Sequence, residues 1–304
     1  MKYLIIGAGG TGGCIGAYMA KAGKDVTLIA RGEHLADIQK SGLTVETNWQ
    51  GTYSVFPIKA CDTQHYNEQP DVIFVCVKGY SLEEIVPFIK QVAHKNTVVI
   101  PILNIYGTGG KLQEMLPELL ITDGCIYVSA NIKGPGRIQM HGEIFRIFFG
   151  VRDPAQYRPV LKQIERDLND SHIMGVLSSD IRRDALQKFS YISAMAACGL
   201  YYHAKAASIQ KPGEIRVSFI NLIREIQALA VAMDIHFTVD IVQFNLDILD
   251  TLAPTASTSV QRDINLGKQS EIDGLVFEVL RMGEKHNVSM PTYKRISENI
   301  RNSF

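Results

Sequence analysis

The chain has 304 residues, of which 31 are basic and 31 acidic, so its formal charge at pH 7 is zero. That balance disfavours a broad basic surface for nucleic acid or for anionic lipid. Hydrophobic residues make up 46% of the chain, which provides a large packed core, and the length suits one large or two ordinary domains.

The start of the chain and its cysteines indicate a compartment. The opening MKYLIIGAGG passes directly into an apolar strand and a glycine turn, so a signal peptide is not expected. The least charged stretch, residues 189–204, is shorter than the ~20 apolar residues of a membrane helix. Five widely separated cysteines without a CxxC pair suggest reduced thiols and no metal site. We therefore expect a cytoplasmic protein without a membrane segment.

The first half of the chain alternates apolar runs with amphipathic stretches. Strands are predicted at residues 2–6, 25–30, 71–77 and 97–101, with helices at about 10–22 and from 82. β-Branched runs between helical periods predict a parallel sheet covered on both faces. Residues 43–46 and 53–57 predict a hairpin inserted after the second unit, and three short strands at 125–132, 136–141 and 145–150 predict an antiparallel extension.

The pattern changes after residue 178. A helix at 154–168 and a strand at 172–176 complete the first part. Long helical periods then follow at about 179–198, 213–233, 239–252, 271–286 and 291–302, without a strand-like run. We predict an α/β domain over residues 1–178 and an all-α domain over residues 179–304.

A glycine-rich turn follows the first strand, in the sequence Gly7-Ala-Gly9-Gly10-Thr11-Gly12. Gly7 permits a tight turn, Gly9 lets a pyrophosphate approach the backbone, and Gly12 allows close packing of helix on strand. The helix N-terminus at Gly10 and Thr11 then faces the negative charge. Because the turn lies between a clear strand and a clear helix, it favours a Rossmann-like dinucleotide-binding domain over an ordinary glycine-rich turn.

The second strand ends in Arg31, where an NAD-binding domain would carry Asp or Glu for the ribose hydroxyls. A guanidinium can instead bind a 2′-phosphate through paired charge-assisted hydrogen bonds. The sequence therefore favours NADP(H), the alternative being a solvated arginine at a strand end.

Two polar residues follow later strands of the predicted sheet. Lys78 and Asn104 lie at carboxyl ends of parallel strands, where doubly wound sheets bind ligands. Lys78 could contact the adenosine phosphate or the substrate, and Asn104 the nicotinamide or the substrate. A surface lysine and a turn-capping asparagine are the alternatives.

Lys188 lies near the start of a helix that carries no Asp, Glu, Lys or Arg from residue 189 to 204. Such a helix is buried on most sides, so its lysine either extends to solvent or points into the cleft between the domains. In the cleft, desolvation would lower the lysine pKa towards values useful for proton donation.

A polar segment later in the helical domain contains Ser259 and Glu271. Glu271 could have a functional role, or it could simply stabilise the first turn of a helix through its interaction with the helix dipole. Ser270 and Asp273 have the spacing of a capping box, which would explain part of this segment structurally.

Taken together, these residues resemble the ketopantoate reductase family, the 2-dehydropantoate 2-reductases. The likeness spans essentially the whole chain and rests on GAGGTGG at the N-terminus, Arg31, Val77-Lys78, Asn104, Lys188, and Ser259 twelve residues before Glu271 in the stretch Gly-Lys-Gln-Ser-Glu-Ile-Asp. The resemblance implies NADPH-dependent reduction of a small 2-oxo acid, first of all 2-dehydropantoate to pantoate in pantothenate biosynthesis. It implies that Lys188 is the general acid and that Ser259 and Glu271 hold the substrate hydroxyl or the lysine.

The chain departs from the family pattern at positions that bear on the substrate. Ile192 and Ala196 stand one and two turns after Lys188, where the family usually has Asn, and Ile105 follows Asn104 in place of the usual Gly. Loss of the amides favours, as an alternative, a reductase of a more apolar keto acid. A protein that binds NADP(H) without turnover is a second alternative, which retention of Lys188, Ser259 and Glu271 disfavours. The long helices could also form a homodimer face.

Overall fold

The computed structural model describes residues 1–303, which form two compact units. The first unit consists of Met1–Leu103 and Gly107–Ile181. The second consists of the short segment Asn104–Tyr106 and the chain from Arg182 onward. Three residues from the first half of the sequence are therefore structurally part of the second unit.

The first unit alternates strands and helices. In chain order these are β1 (Lys2–Ile6), α1 (Gly10–Lys21), β2 (Asp25–Ile29), α2 (Gly32–Ser41), β3 (Leu43–Thr47), β4 (Gly51–Val55), β5 (Lys59–Cys61), β6 (Val72–Val75), α3 (Val86–Val92), β7 (Val98–Pro101), α4 (Thr108–Met115), β8 (Leu120–Ile121), β9 (Asp123–Gly134), β10 (Arg137–Gly150), α5 (Val160–Asp170) and β11 (Met174–Leu177).

Two sheets are built from these strands. The first is parallel, with strand order β5-β2-β1-β6-β7-β8. The second has the order β11-β10-β3-β4, and β9 pairs with β10 in a long antiparallel hairpin. The parallel sheet confirms the Rossmann-like α/β domain predicted from the sequence.

Helix α1 packs between the two sheets, which explains its small residues. A Cβ on Gly16 would overlap Leu28 of the parallel sheet, and one on Gly13 would overlap Ile138 of the second sheet. The opposite face of the parallel sheet is covered by Phe88 and Ile89 of α3, by Leu112 of α4 and by Leu116 just after α4. The carboxyl ends of its strands carry the glycine turn, Arg31 and Lys78.

The second unit is helical, as predicted. It contains α6 (Ile181–Tyr201), α7 (Ala206–Gln210), α8 (Glu214–Ala232), α9 (Ile241–Thr251), α10 (Ser259–Asn265), a π-helical turn (Asp273–Phe277), α11 (Glu278–Lys285) and α12 (Pro291–Ser303). Residues 193–200 of α6 are all buried, in one core with apolar side chains from α8, α9, α11 and α12.

Some predicted elements differ from the structure. The two strands predicted at 136–141 and 145–150 are one strand, β10, with a break in its pairing beside Gly142, whose φ is +72°. Helix α3 begins at Val86, four residues later than predicted, after a 3₁₀ turn at Gly79–Ser81. Helices α2, α4, α7 and α10 were not predicted, since they are short or bury few apolar residues; α2 fully buries only Ile38.

Candidate active site

The glycine turn between β1 and α1 has the geometry of an anion site. Gly7 has φ +97°, which favours glycine, and its Cβ would lie 3.1 Å from the Cys76 backbone. A Cβ on Gly12 would overlap the Gly7 carbonyl oxygen, so helix and turn approach closely. Space at Gly9 is open to 4 Å, and the first turn of α1 contains no acidic residue. The turn can therefore accept a pyrophosphate against its backbone N–H groups.

His34, which the sequence analysis did not single out, fixes this turn from α2. The Gly136 N–H donates to His34 Nδ1 over 3.0 Å, so the ring proton resides on Nε2. Nε2 in turn donates to the Ala8 carbonyl over 2.8 Å. His34 thereby joins the glycine turn, α2 and the β9–β10 turn. A histidine in the first turn of the unpredicted helix α2 was the only sequence signal for this contact.

Arg31 occupies the N-cap position of α2, two residues beyond β2, and it is exposed. Within residues 1–303 its guanidinium makes no hydrogen bond or ion pair, so its donors are available to a ligand. Lys78 is half-buried, three residues beyond β6, at the start of the 3₁₀ turn Gly79–Ser81. Both residues belong to the first unit with the glycine turn.

Lys188 and Asn104 meet directly in the second unit. Lys188 lies in the second turn of α6 and is only 7% exposed. Its Nζ donates a hydrogen bond to Asn104 Oδ1 over 2.7 Å. The two residues are 84 positions apart in the sequence, and the structure places an amide oxygen on the lysine that was proposed as the proton donor.

The residues after Asn104 also contact the helical unit. The Ile105 side chain covers Gly274, where an added Cβ would overlap its Cδ1. The Tyr106 ring lies 6.0 Å from the ring of Phe189, the neighbour of Lys188. Each residue of Asn104–Tyr106 therefore has its own partner in the second unit.

Glu271 lies two residues before the π-helical turn and is 5% exposed. Its carbonyl accepts the Leu275 N–H over 3.0 Å. The capping box predicted for Ser270 and Asp273 is wrong, since the Asp273 carboxylate instead pairs with Arg281. Single π-helical turns are frequent at functional sites.

A buried network holds this turn. Ser193 Oγ, on α6, donates to the Leu275 carbonyl over 2.6 Å and accepts from Tyr293 Oη over 2.6 Å. Burial raises the pKa of Tyr293, which keeps its hydroxyl protonated. The carboxylate of Glu225 accepts the backbone N–H of Tyr293 over 3.0 Å and so caps α12. Ser193 thus ties the turn beside Glu271 to the helix that carries Lys188.

Ser259 is half-buried as the first residue of α10. The N-cap there is Thr258, which forms a capping box with Gln261. Among residues 1–303 the Ser259 hydroxyl has no hydrogen-bond partner, so it remains available to a ligand.

Ile192 and Ala196, the two α6 residues at which the chain departs from the family pattern, lie in different environments. Ile192, one turn after Lys188, is half-buried, whereas Ala196 is fully buried in the helical core. Only Ile192 can therefore present its side chain to a ligand without rearrangement.

The described part of the chain, residues 1–303, contains no helix both long and apolar enough to cross a membrane. In the same residues no group of three or more His, Cys, Asp or Glu side chains is arranged to hold a metal ion.

A glycine turn on a parallel sheet, and a helical unit with a buried lysine, are together the parts of a two-domain oxidoreductase. Comparison with known proteins agrees. The family model described as "Ketopantoate reductase PanE/ApbA" matches residues 3–154. The model for the C-terminal domain of the same family matches residues 180–303. The chain belongs to the ketopantoate reductase family and is an oxidoreductase of that family.

Two distant relatives match over nearly their whole length. The 2-dehydropantoate 2-reductase of Aquifex aeolicus is 24% identical, over 99% of this chain and 96% of the relative. An uncharacterised oxidoreductase of Bacillus subtilis, YkpB, is 23% identical over 99% of this chain and 98% of that protein.

Solved structures share the fold. The ketopantoate reductase from Ralstonia eutropha superposes with a TM-score of 0.89 at 23% identity, covering 99% of this chain and 97% of that one. D-mandelate dehydrogenase with NADH and anilino(oxo)acetate gives 0.88 at 20% identity, covering 99% and 98%. These distant structures establish the fold of this chain.

Proposed function

We propose that this protein reduces a small 2-oxo acid to a 2-hydroxy acid with NADPH. The observation that carries the proposal is the buried Lys188, with its Nζ on Asn104 Oδ1, in a chain of the ketopantoate reductase family.

The residues of the first unit fit the cofactor. Gly7, Gly9, Gly10, Thr11 and Gly12 would hold the pyrophosphate through backbone N–H groups and the α1 N-terminus. Arg31, exposed and without a protein partner in residues 1–303, would bind the 2′-phosphate. Lys78, half-buried beyond β6, is proposed to contact the adenosine phosphate. Bound NADPH supplies the hydride that reduces the ketone carbon.

Residues of the second unit would stabilise the negative charge on the ketone oxygen and supply the proton. As the ketone carbon is reduced, negative charge develops on its oxygen, and Lys188 Nζ donates a proton to it. Asn104 Oδ1 would hold the ammonium of Lys188 in place, and the amide N–H of the same side chain can donate to the substrate or to the nicotinamide. Glu271 is proposed to orient Lys188 and Ser259 to hold a substrate hydroxyl. Lys188 then regains its proton from water.

The substrate has two candidates. Membership of the family supports 2-dehydropantoate, which would give the protein a role in pantothenate biosynthesis. The half-buried Ile192 and Ile105 favour a more apolar keto acid, since neither side chain can hydrogen-bond a substrate hydroxyl.

The assembly and the compartment complete the proposal. A relative from Staphylococcus aureus is a dimeric ketopantoate reductase, which supports a homodimer here. All five cysteines are free thiols, which supports a reducing, cytoplasmic setting. Light scattering of the purified chain tests the dimer.

The reaction is tested by the loss of NADPH absorbance with purified protein and a panel of 2-oxo acids. The panel pairs 2-dehydropantoate with trimethylpyruvate, which has the same carbon skeleton without the hydroxyl, and adds an aromatic 2-oxo acid. Turnover of at least one branched 2-oxo acid is expected. NADPH binding without oxidation across the panel would favour the binding-protein alternative.

A further inference from the structure

The segment Asn104–Tyr106 is held on the helical unit by three consecutive side chains. Asn104 accepts the Lys188 hydrogen bond, Ile105 covers Gly274, and Tyr106 contacts the Phe189 ring. Leu103 and Gly107, on either side, both belong to the other unit. The position of the Asn104 amide therefore depends on contacts that its neighbours make.

Gly274 is an unusual residue for its place, because glycine weakens a helical turn. Its missing side chain is replaced by that of Ile105. A Cβ on Gly274 would overlap Ile105 Cδ1 and lie 2.7 Å from Cγ1 and 3.1 Å from Cγ2. Ile105 and Gly274 are thus complementary in size, and neither can grow without displacing the other.

The turn that carries Gly274 cannot easily move to relieve such a clash. Its Leu275 carbonyl is bound by Ser193, and its Leu275 N–H is bound by the Glu271 carbonyl. Ser193 and Tyr293 are both almost completely buried. A side chain added at Gly274 would therefore push the segment that carries Asn104, since the turn itself is fixed.

Resting on the function proposed above, we propose that Ile105 and Gly274 form a size-matched contact that holds the Asn104 amide on Lys188. Both are positioning residues, which act on the reaction through Asn104. The contact uses an Ile at the position after Asn104, so it also explains how this chain accommodates that residue beside its proton donor.

The experiment is a size-exchange series on the full-length protein. Gly274→Ala is expected to lower kcat by about 10²-fold, because a shift of about 1 Å in a catalytic group can cost that much. Binding of NADPH should change far less than kcat, because the glycine turn and Arg31 belong to the other unit. In the double variant Gly274→Ala/Ile105→Ala, the second substitution removes Cγ1, Cγ2 and Cδ1 of Ile105 and should restore most of kcat. Ile105→Val, which removes only Cδ1, should restore less.

Gly110→Ala is the matched control. Gly110 lies inside α4 with no atom within 4 Å of an added Cβ, so kcat should remain that of the unmodified protein. A Gly274→Ala variant of normal kcat, or a double variant no better than Gly274→Ala alone, would overturn the proposal.

A measurement independent of turnover separates this proposal from the proposed reaction. Acetic anhydride labels accessible lysines, and mass spectrometry of the Lys188 peptide gives its labelling rate. We expect slow labelling in the unmodified protein, faster labelling in Gly274→Ala, and slow labelling again in the double variant. If no 2-oxo acid is turned over, the reaction is wrong and this series still tests the contact. Equal labelling in all three proteins would contradict it.

Discussion

Arg31 is the single residue after β2 that we propose sets the cofactor preference. It was identified from the sequence because its position after the second strand is fixed by chain order, and the structure leaves its guanidinium exposed at the α2 N-cap. Charge-assisted hydrogen bonds to a phosphate are about twice as strong as neutral ones. On this proposal, the side chain contributes to cofactor binding only when the 2′-phosphate is present.

We expect NADPH to bind more tightly than NADH, and Arg31→Ala to lose most of that preference. Each hydrogen bond to a charged group contributes about 1.5–3 kcal/mol, so the ratio should fall by about 10- to 10²-fold, as measured by calorimetric titration with both cofactors. Lys40→Ala, at an exposed cation near the end of α2, is the control and should keep the preference. Equal affinity for the two cofactors in the unmodified protein would show that Arg31 has no such role.

Lys188 and Asn104 were both candidates from the sequence, but the hydrogen bond between them was not predicted. Nothing in the spacing of residues 104 and 188 predicts that they touch, because the contact depends on Ile105 and Tyr106 packing on the helical unit. The roles of Ser193 and His34 were equally invisible, since both act through backbone carbonyls whose positions exist only in the folded chain.

Lys188→Ala should depress kcat by about 10²- to 10⁴-fold, the usual contribution of a positioned proton donor. NADPH affinity should be nearly unchanged. Lys188→Arg tests the proton itself, because guanidinium retains the charge but does not give up a proton. Lys205→Ala, an exposed lysine just after α6, is the control. Stopped-flow measurement of NADPH oxidation distinguishes these outcomes, and normal turnover in Lys188→Ala would exclude the proposed role.

At the scale of elements, helix α6 was predicted because it lacks charges from residue 189 to 204, and the structure buries residues 193–200. Helix α2 was missed because it fully buries only Ile38, which is too little for a helical period. The second sheet was only partly predicted. Its hairpins have local turn signals, whereas the parallel pairing of β3 with β10 joins segments about 90 residues apart, and nothing local encodes it.

The prediction on substrate choice concerns Ile192 of α6. Because Ile192 is half-buried one turn after Lys188 and offers no polar group, we expect 2-dehydropantoate to be a poorer substrate than trimethylpyruvate. Ile192→Asn should shift the ratio of kcat/KM values towards 2-dehydropantoate by about 10-fold, corresponding to one new hydrogen bond.

Two controls accompany that substitution. Ile192→Leu keeps the surface apolar and should leave the ratio unchanged. Ala196→Asn places an amide in the fully buried core, so it should lower the melting temperature without a gain in selectivity. Efficient reduction of 2-dehydropantoate by the unmodified protein, with no gain from Ile192→Asn, would refute this account of specificity.

At the scale of the whole molecule, we expect acid stability to depend on a buried carboxylate that joins distant parts of the chain. Asp167 on α5 accepts hydrogen bonds from Tyr3 Oη over 2.5 Å, from Lys24 Nζ over 2.8 Å and from Gln163 Nε2 over 3.0 Å. It therefore joins the central strand of the parallel sheet to a helix that packs on the second sheet. Burial alone would raise the pKa of Asp167, but these three donors outweigh it and hold the pKa below its ordinary value.

The sign of the pH dependence follows from that direction. A carboxyl whose pKa is lower in the folded state stabilises the fold above its unfolded pKa of about 3.9, and this contribution is lost as the pH falls through the folded value. Asp167→Asn should thus lower the free energy of unfolding at pH 7 by about 1–3 kcal/mol. The difference from the unmodified protein should shrink below about pH 4, where Asp167 of the unfolded chain becomes protonated, and should be lost as the pH falls through the lower folded pKa. Urea denaturation across this pH range measures the free energy of unfolding of both proteins.

Asp170→Asn is the control. It removes an exposed partner of the same Lys24 and should cost less than about 1 kcal/mol at any pH. A loss for Asp167→Asn that is equally small, or that does not change with pH, would show that the buried carboxylate does not set the acid stability of the fold.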